Sequence, residues 1–205
     1  MEHRFEDAAQ YAQTFDDPAR DASQMPERVI EALGIPPGKA VGDIGAGTGY
    51  FTVGLAETPL ASTMFSVGFE LSMVDYVTIR AEAAWLDNIV TLLSGSDRTN
   101  LPEPVDLLLI VDACHHLPDR VAYFTRLRED LRPSGRLGII DFSKDSPSGR
   151  LSSSGSRRSR SPAIWNAPVS RSSSSTASCR ARCSSRARPL ETASFGSNLL
   201  ARSNP

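Results

Sequence analysis

The sequence predicts an α/β fold, a doubly wound and mostly parallel sheet, from three observations. Apolar runs of strand length alternate with segments of helical period from Lys39 to Phe142. Val105 through Val111 is the most apolar run of the chain and holds no turn residue, which suits a central parallel strand. Val41-Gly42-Asp43-Ile44-Gly45-Ala46-Gly47-Thr48-Gly49-Tyr50-Phe51-Thr52 reads as a strand, a tight glycine turn and the start of a helix.

The elements follow in order. Residues 5–33 read as helix-rich: Phe5, Ala8, Ala9, Ala12 and Phe15 form a weak apolar face that Asp16-Asp17-Pro18 punctuates. Pro26 suits a first helical position ahead of Val29, Ile30 and Leu33, and Gly34 suits the stop. Pro36-Pro37-Gly38 turns the chain into the first strand. After the glycine loop and its helix, residues 64–69 read as a second strand and 72–86 as a helix. Residues 89–93 read as a short buried strand and 105–111 as the central one. A helix is expected over 119–131, a turn at Arg132-Pro133-Ser134-Gly135, and a fifth strand over 136–142.

The glycine segment carries the functional signal. Glycines at every second position let a backbone approach a ligand without Cβ atoms in the way and permit positive φ. A ligand then lies over the start of the following helix, and Asp43 at the strand end suits a cationic or hydroxylated part of it. Rival glycine loops fit less well. A dinucleotide fingerprint, G-x-G-x-x-G, meets Tyr50 at its third glycine when counted from Gly45, and Thr52 when counted from Gly47. A Walker loop fails at Gly34-Ile35-Pro36-Pro37-Gly38-Lys39-Ala40, which is one residue short and lacks the hydroxyl. What remains is acid-x-G-x-G-x-G. In an open parallel sheet ligands bind outside the carboxyl ends of the strands, near the point where strand order reverses, so pattern and fold rule indicate the same edge.

Composition bounds the rest. At 205 residues and 40% hydrophobic content, the chain is one globular domain or one domain with an appendage. No apolar run approaches the roughly 20 residues of a membrane helix. Met1-Glu2-His3-Arg4-Phe5-Glu6-Asp7 has no apolar signal core behind it, so the expected location is cytoplasmic. Three cysteines imply no disulfide framework. Cys179-x-x-x-Cys183 lacks a partner pair or a nearby histidine, so no metal site is expected.

Asp43, Gly45, Gly47 and Gly49, with their context, resemble motif I of the class I S-adenosylmethionine-dependent methyltransferases. The likeness extends over about residues 10–145 and is greatest to small bacterial stand-alone members with a Phe-Asp-Asp-Pro lead-in, here Phe15-Asp16-Asp17-Pro18. Leu101-Pro102 precedes the central strand as the family's Leu-Pro does, and Leu131-Arg132-Pro133-Ser134-Gly135-Arg136-Leu137 is similar to its Leu-Lys-Pro-Gly-Gly-x-Leu. The resemblance implies a Rossmann-like fold of the class I methyltransferase type and S-adenosyl-L-methionine as cofactor. It implies that Asp43 and the three glycines wrap the methionine part, and that Asp97 meets the adenine amino group. It also implies methyl transfer to a small-molecule acceptor.

One departure stands out. The acid that the family places at the end of strand two to bind the ribose aligns with Gly68, and Glu70 two positions on substitutes for it only if the strand end is bent or shifted. Asp112-Ala113-Cys114-His115-His116 follows the central strand, where the transferred methyl is expected to point. His115 suits a general base there by its near-neutral pKa, whereas the plain alternative has one histidine cap the next helix and the other pack. Cys114 as nucleophile is disfavoured, because methyl transfer from a sulfonium needs no covalent enzyme intermediate. The Asn-Pro-Pro-Tyr segment of DNA amino-methyltransferases is absent, which argues against a nucleic-acid base as acceptor.

The expected organisation is a methyltransferase-like domain over 1–145, with a helical lead-in at 1–34, and a tail over 146–205. That tail holds 19 serines and ten arginines against one acid, a balance of +9 that leaves −11 for residues 1–145 within a net charge of −2. It is expected to be disordered. It reads either as an arginine-serine segment that seeks RNA or membrane, the chain's one route to nucleic acid, or as an out-of-frame translation of a GC-rich gene. Nothing from 146 to 205 alternates like a strand apart from fragments such as Ala163-Ile164-Trp165, so the sheet is expected to lack the family's last two strands, leaving strand five an unpaired edge and the domain an impaired enzyme or a cofactor-binding pseudoenzyme.

Overall fold

The computed structural model describes residues 7–142, apart from Ser96 and Pro118, together with residues 162–168. Among these residues six strands form one sheet: β1 (Lys39–Ile44), β2 (Ala61–Gly68), β3 (Ile89–Leu93), β4 (Val105–Val111), β5 (Leu131–Phe142) and β6 (Pro162–Pro168), in the order β3-β2-β1-β4-β5-β6. The first five are parallel, and β6 runs antiparallel to β5. Strand order reverses between β1 and β4, so the carboxyl ends of these two strands flank the crevice where ligands of open α/β sheets bind.

Among the described residues six α-helices accompany the sheet: α1 (Ala8–Phe15), α2 (Asp21–Gln24), α3 (Pro26–Leu33), α4 (Tyr50–Ala56), α5 (Leu71–Ala83) and α6 (Arg120–Arg126). Local signals set their ends. Asp7 caps α1 through the Gln10 N–H and Asp119 caps α6 through the Ala122 N–H. Pro26 opens α3, and Gly34 closes it in the left-handed conformation. The central strand is buried as its composition requires, because both sheet faces are covered. Leu107 and Leu109 enter a core with Val29, Leu33 and Leu55, while Leu108 and Ile110 enter the opposite one with Phe124 and Leu131.

Three expectations change. The sheet does not end at β5: Pro162–Pro168, from beyond residue 145, pairs along it from Arg136↔Pro168 to Phe142↔Pro162. Backbone pairing asks only for extended, hydrogen-bonding chain, so a segment with weak side-chain alternation serves. β3 is the outer edge rather than a buried strand, with Val90 40% and Leu93 45% exposed. The last predicted helix is shorter and ends at Arg126, and the Arg132-Pro133-Ser134-Gly135 turn lies inside β5 as a bulge, between the pairs Val105↔Leu131 and Leu107↔Arg136. The remainder of the tail, with its expected disorder and Cys179 and Cys183, lies outside the described residues.

Candidate functional site

The glycine loop sits at the carboxyl end of β1, inside the crevice. Gly45, Gly47 and Gly49 adopt φ of +75°, +58° and +82°, a region open to glycine and costly for side chains. A Cβ on Gly45 would stand 2.6 Å from that of Ala113, and one on Gly49 would stand 3.1 Å from Val77. These two glycines are therefore fixed by packing on their own protein. Gly47 is different: among the described residues, the only neighbour a Cβ would meet is the Phe15 ring at 3.8 Å. The amides of Gly45 and Ala46 bond the Val67 carbonyl and that of Gly49 bonds Ala46. Among the described residues no acceptor takes the Gly47 N–H. The loop thus offers a bare backbone donor at its middle.

Asp43 lies beneath the loop, 2% exposed. It accepts a hydrogen bond from Thr52 Oγ1 at 2.7 Å, and that hydroxyl also lies 3.4 Å from Ser66 Oγ on β2. Burial pushes the Asp43 carboxyl up to about 6, with the Thr52 hydroxyl pulling the other way. The bond joins β1 to α4 across the loop and fixes both of its ends.

The lead-in covers this edge. Asp16, the residue that ends α1, accepts from Thr48 Oγ1 at 2.7 Å, from Arg80 Nη1 at 3.0 Å and from the Tyr76 hydroxyl at 3.3 Å. Arg80 also donates to the Thr48 carbonyl at 3.0 Å. Farther on, the Arg20 guanidinium stacks over Phe15 and Tyr50, with 5.6 and 5.0 Å to the ring centroids. The Tyr50 hydroxyl donates to Asp21, and burial with this carboxylate raises its pKa. Gln24 reaches Asp112 at the end of β4. Residues 16–24 therefore span from the glycine loop to β4.

The other sequence candidates are spread around this edge. Glu70 precedes α5 in extended conformation, and its side chain makes no cap bond to the helix. It follows Phe69, whose ring would lie 3.2 Å from a Gly45 Cβ. Gly68 leaves no room for the family's acid, since a Cβ there would stand 2.8 Å from Val74 Cγ2. Asp97, in the segment after β3, pairs with Arg126 of α6 at 3.3 Å and with Arg98 at 3.7 Å. The backbone of His115 lies in a 3-10 turn, Cys114–His116, and its side chain is outside the described set. Cys114 is buried. Among the described residues no three His, Cys, Asp or Glu side chains are grouped to hold a metal, and no helix is long and apolar enough to cross a membrane.

Residues 35–178 match the family described as "Methyltransferase domain". The chain belongs to this family. Within it, the methyltransferase domain is 29% identical over 125 residues to 27-O-demethylrifamycin SV methyltransferase of Amycolatopsis mediterranei, covering 58% of this chain and 44% of that one. It is 33% identical over 135 residues to trans-aconitate 2-methyltransferase of Deinococcus radiodurans, covering 64% and 50%. The chain spans about half the length of the curated relatives it matches. In structure it is similar to a SAM dependent methyltransferase from Aquifex aeolicus, with a TM-score of 0.61, 24% identity, and 71% and 77% of the two chains covered. That likeness shows the fold.

Several residues around the candidate site carry little signal in the sequence. Thr52 is one hydroxyl in an apolar helix, and Thr48, Tyr76, Arg80 and Gln24 have ordinary helix or loop neighbours. Only Asp16 stands out among them, within Phe15-Asp16-Asp17-Pro18, as a helix stop and as part of the family's lead-in rather than as a latch.

Proposed function

We propose that this methyltransferase domain binds S-adenosyl-L-methionine against the glycine loop and transfers its methyl group to a small-molecule acceptor. The observation that carries the reading is Gly47: a positive-φ glycine with an unused amide, roofed by Phe15, at the switch point of the sheet. The residues present fit such a cofactor, since a side chain at Gly47 would fill the space between loop and Phe15. The cofactor supplies a methyl on a positive sulfur, a good leaving group that needs no covalent help from the protein.

The protein's part is then positioning. The Gly47 N–H serves an anionic group of the ligand. Asp43 holds the loop through Thr52 rather than by direct contact. Glu70 takes the ribose hydroxyls in place of the acid Gly68 cannot supply, and Asp97, oriented by Arg126, takes the adenine amino group. Phe15 and the Asp16 latch exclude water from above. The two relatives' names differ in substrate, 27-O-demethylrifamycin SV in one and trans-aconitate in the other, so the acceptor is not inherited from them.

Calorimetric titration with S-adenosylhomocysteine tests the reading. Gly47→Val, which sets a branched side chain at φ +58° and in the ligand's space, should weaken binding tenfold or more, a loss of about 1.4 kcal/mol or greater. Equal binding by both proteins would remove the assignment.

A further inference from the structure

Beside the glycine loop, the carboxyl edge presents a second set of residues that the cofactor reading does not use. Asp112 follows β4, two positions past the pair Ile44↔Ile110, where strand order reverses. Its φ is +50°, uncommon for any residue but glycine and kept only where the surroundings enforce it. Two bonds do so. The Asp112 N–H donates to the Ile140 carbonyl of β5 at 2.9 Å, and Gln24 Nε2 donates to Asp112 Oδ2 at 3.0 Å. Gln24 is only 3% exposed, whereas Asp112 is half-buried and keeps part of its surface open. The next residue, Ala113, touches Gly45 of the loop.

Burying an amide is costly unless a specific partner is gained. An apolar residue would fill the place of Gln24 more cheaply. The partner gained is a strained acid beside the ligand crevice, held from a segment 88 residues away in the chain.

We infer that Asp112 is the carboxylate facing the methyl acceptor, with Gln24 as its positioning residue, and that the acceptor attacks through a hydroxyl or an amine rather than a carboxylic acid. This rests on the methyl-transfer reading above. A carboxylate accepts a hydrogen bond from O–H or N–H and repels a second carboxylate. In the step, the acceptor's lone pair forms a bond to the methyl carbon as the carbon–sulfur bond breaks. The sulfur keeps that electron pair and becomes a neutral thioether. The proton leaving the acceptor passes to Asp112 and then to water.

The test uses the full chain, Asp112→Asn and Gln24→Met, the latter keeping side-chain length without the donor. Calorimetry with S-adenosylhomocysteine should give the same affinity for all three within about twofold. With S-adenosylhomocysteine bound, thermal shift should detect small phenols, alcohols or primary amines and not matched carboxylic acids. Label from methyl-tritiated S-adenosylmethionine should follow the same preference. Both substitutions should lower turnover at saturating acceptor by about 10- to 100-fold, at the low end of general-base effects, with the KM for cofactor unchanged. Preference for the carboxylic acids, full turnover by Asp112→Asn, or full turnover by Gln24→Met overturns the inference. So does normal S-adenosylhomocysteine binding with no hydroxyl or amine compound bound or methylated. Failure of the unsubstituted chain to bind S-adenosylhomocysteine removes the methyl-transfer reading, and this inference with it.

Discussion

Burial of Asp43 between β1 and α4 sets a pH dependence that is present without any ligand. Its carboxyl titrates near 3.8 in the unfolded chain and about 6 in the fold, so the folded state binds the extra proton between these values. Stability contributed by this group is therefore present below about pH 4 and falls as pH rises to about 6. At roughly 1.36 kcal/mol per unit, the fall is on the order of 3 kcal/mol. Asp43→Asn keeps an acceptor for Thr52 and removes the charge. Urea denaturation without ligand should show the variant gaining on the parent from pH 4 to 6, with a constant lead above that. A lead that does not change with pH would mean that folding does not raise the Asp43 pKa. Gly68 makes a second residue-scale case. Gly68→Asp should cost about 1–3 kcal/mol, since the Val74 methyl at 2.8 Å belongs to a stiff β-branched side chain. Adding Val74→Ala should relieve that cost and tighten S-adenosylhomocysteine binding, by calorimetry, above that of the parent.

Among the elements, the segment from Asp16 to Gln24 is what links the lead-in to the site. Asp16 gathers three donors, two of them on α5 and one on the glycine loop. The Asp16–Arg80 pair has side chains only 18% and 31% exposed, so it is screened less than a surface pair. Asp16→Ala strands these donors, and about 1–3 kcal/mol of stability should be lost. A double-mutant cycle with Arg80→Ala should give a coupling of about 0.5 kcal/mol or more. S-adenosylhomocysteine should also bind more weakly to Asp16→Ala, because Thr48 and Phe15 lose their anchor. Additive losses with unchanged binding would reduce the latch to a surface contact.

For the whole molecule, the sheet is bordered by β3 and β6, with β5 one strand in. β3 is an open edge, short and half-covered, with two exposed apolar residues. β5 is twelve residues long and is covered by β6. A chain ended at residue 145 lacks β6 and leaves the N–H and C=O row of β5 open, a template for pairing between chains. Light scattering of that truncation should show self-association rising with concentration, and its melting temperature should fall below that of the full chain. A monomeric truncation with an unchanged melting temperature would show that β6 adds nothing to the domain.

The sequence by itself determined the five parallel strands and the glycine loop at the carboxyl end of the first. Each rests on local, repeated physics: apolar runs for doubly covered strands, Pro26 and Gly34 for the ends of α3, and alternating glycines where side chains cannot sit. It also marked the missing acid at Gly68, because a pattern shows its own gap. Only the tertiary structure decided what lies across the sequence. Thr52 beneath Asp43, Arg80 on Asp16 and Gln24 on Asp112 are single polar groups whose partners stand 9, 64 and 88 residues away. Nothing in their immediate neighbours distinguishes them from solvent-facing residues. β6 is of the same kind, since its place is specified by the open backbone of β5 rather than by a side-chain pattern of its own. Local propensity writes the elements into the chain, but a hydrogen bond between distant residues exists only once packing has brought its two ends together.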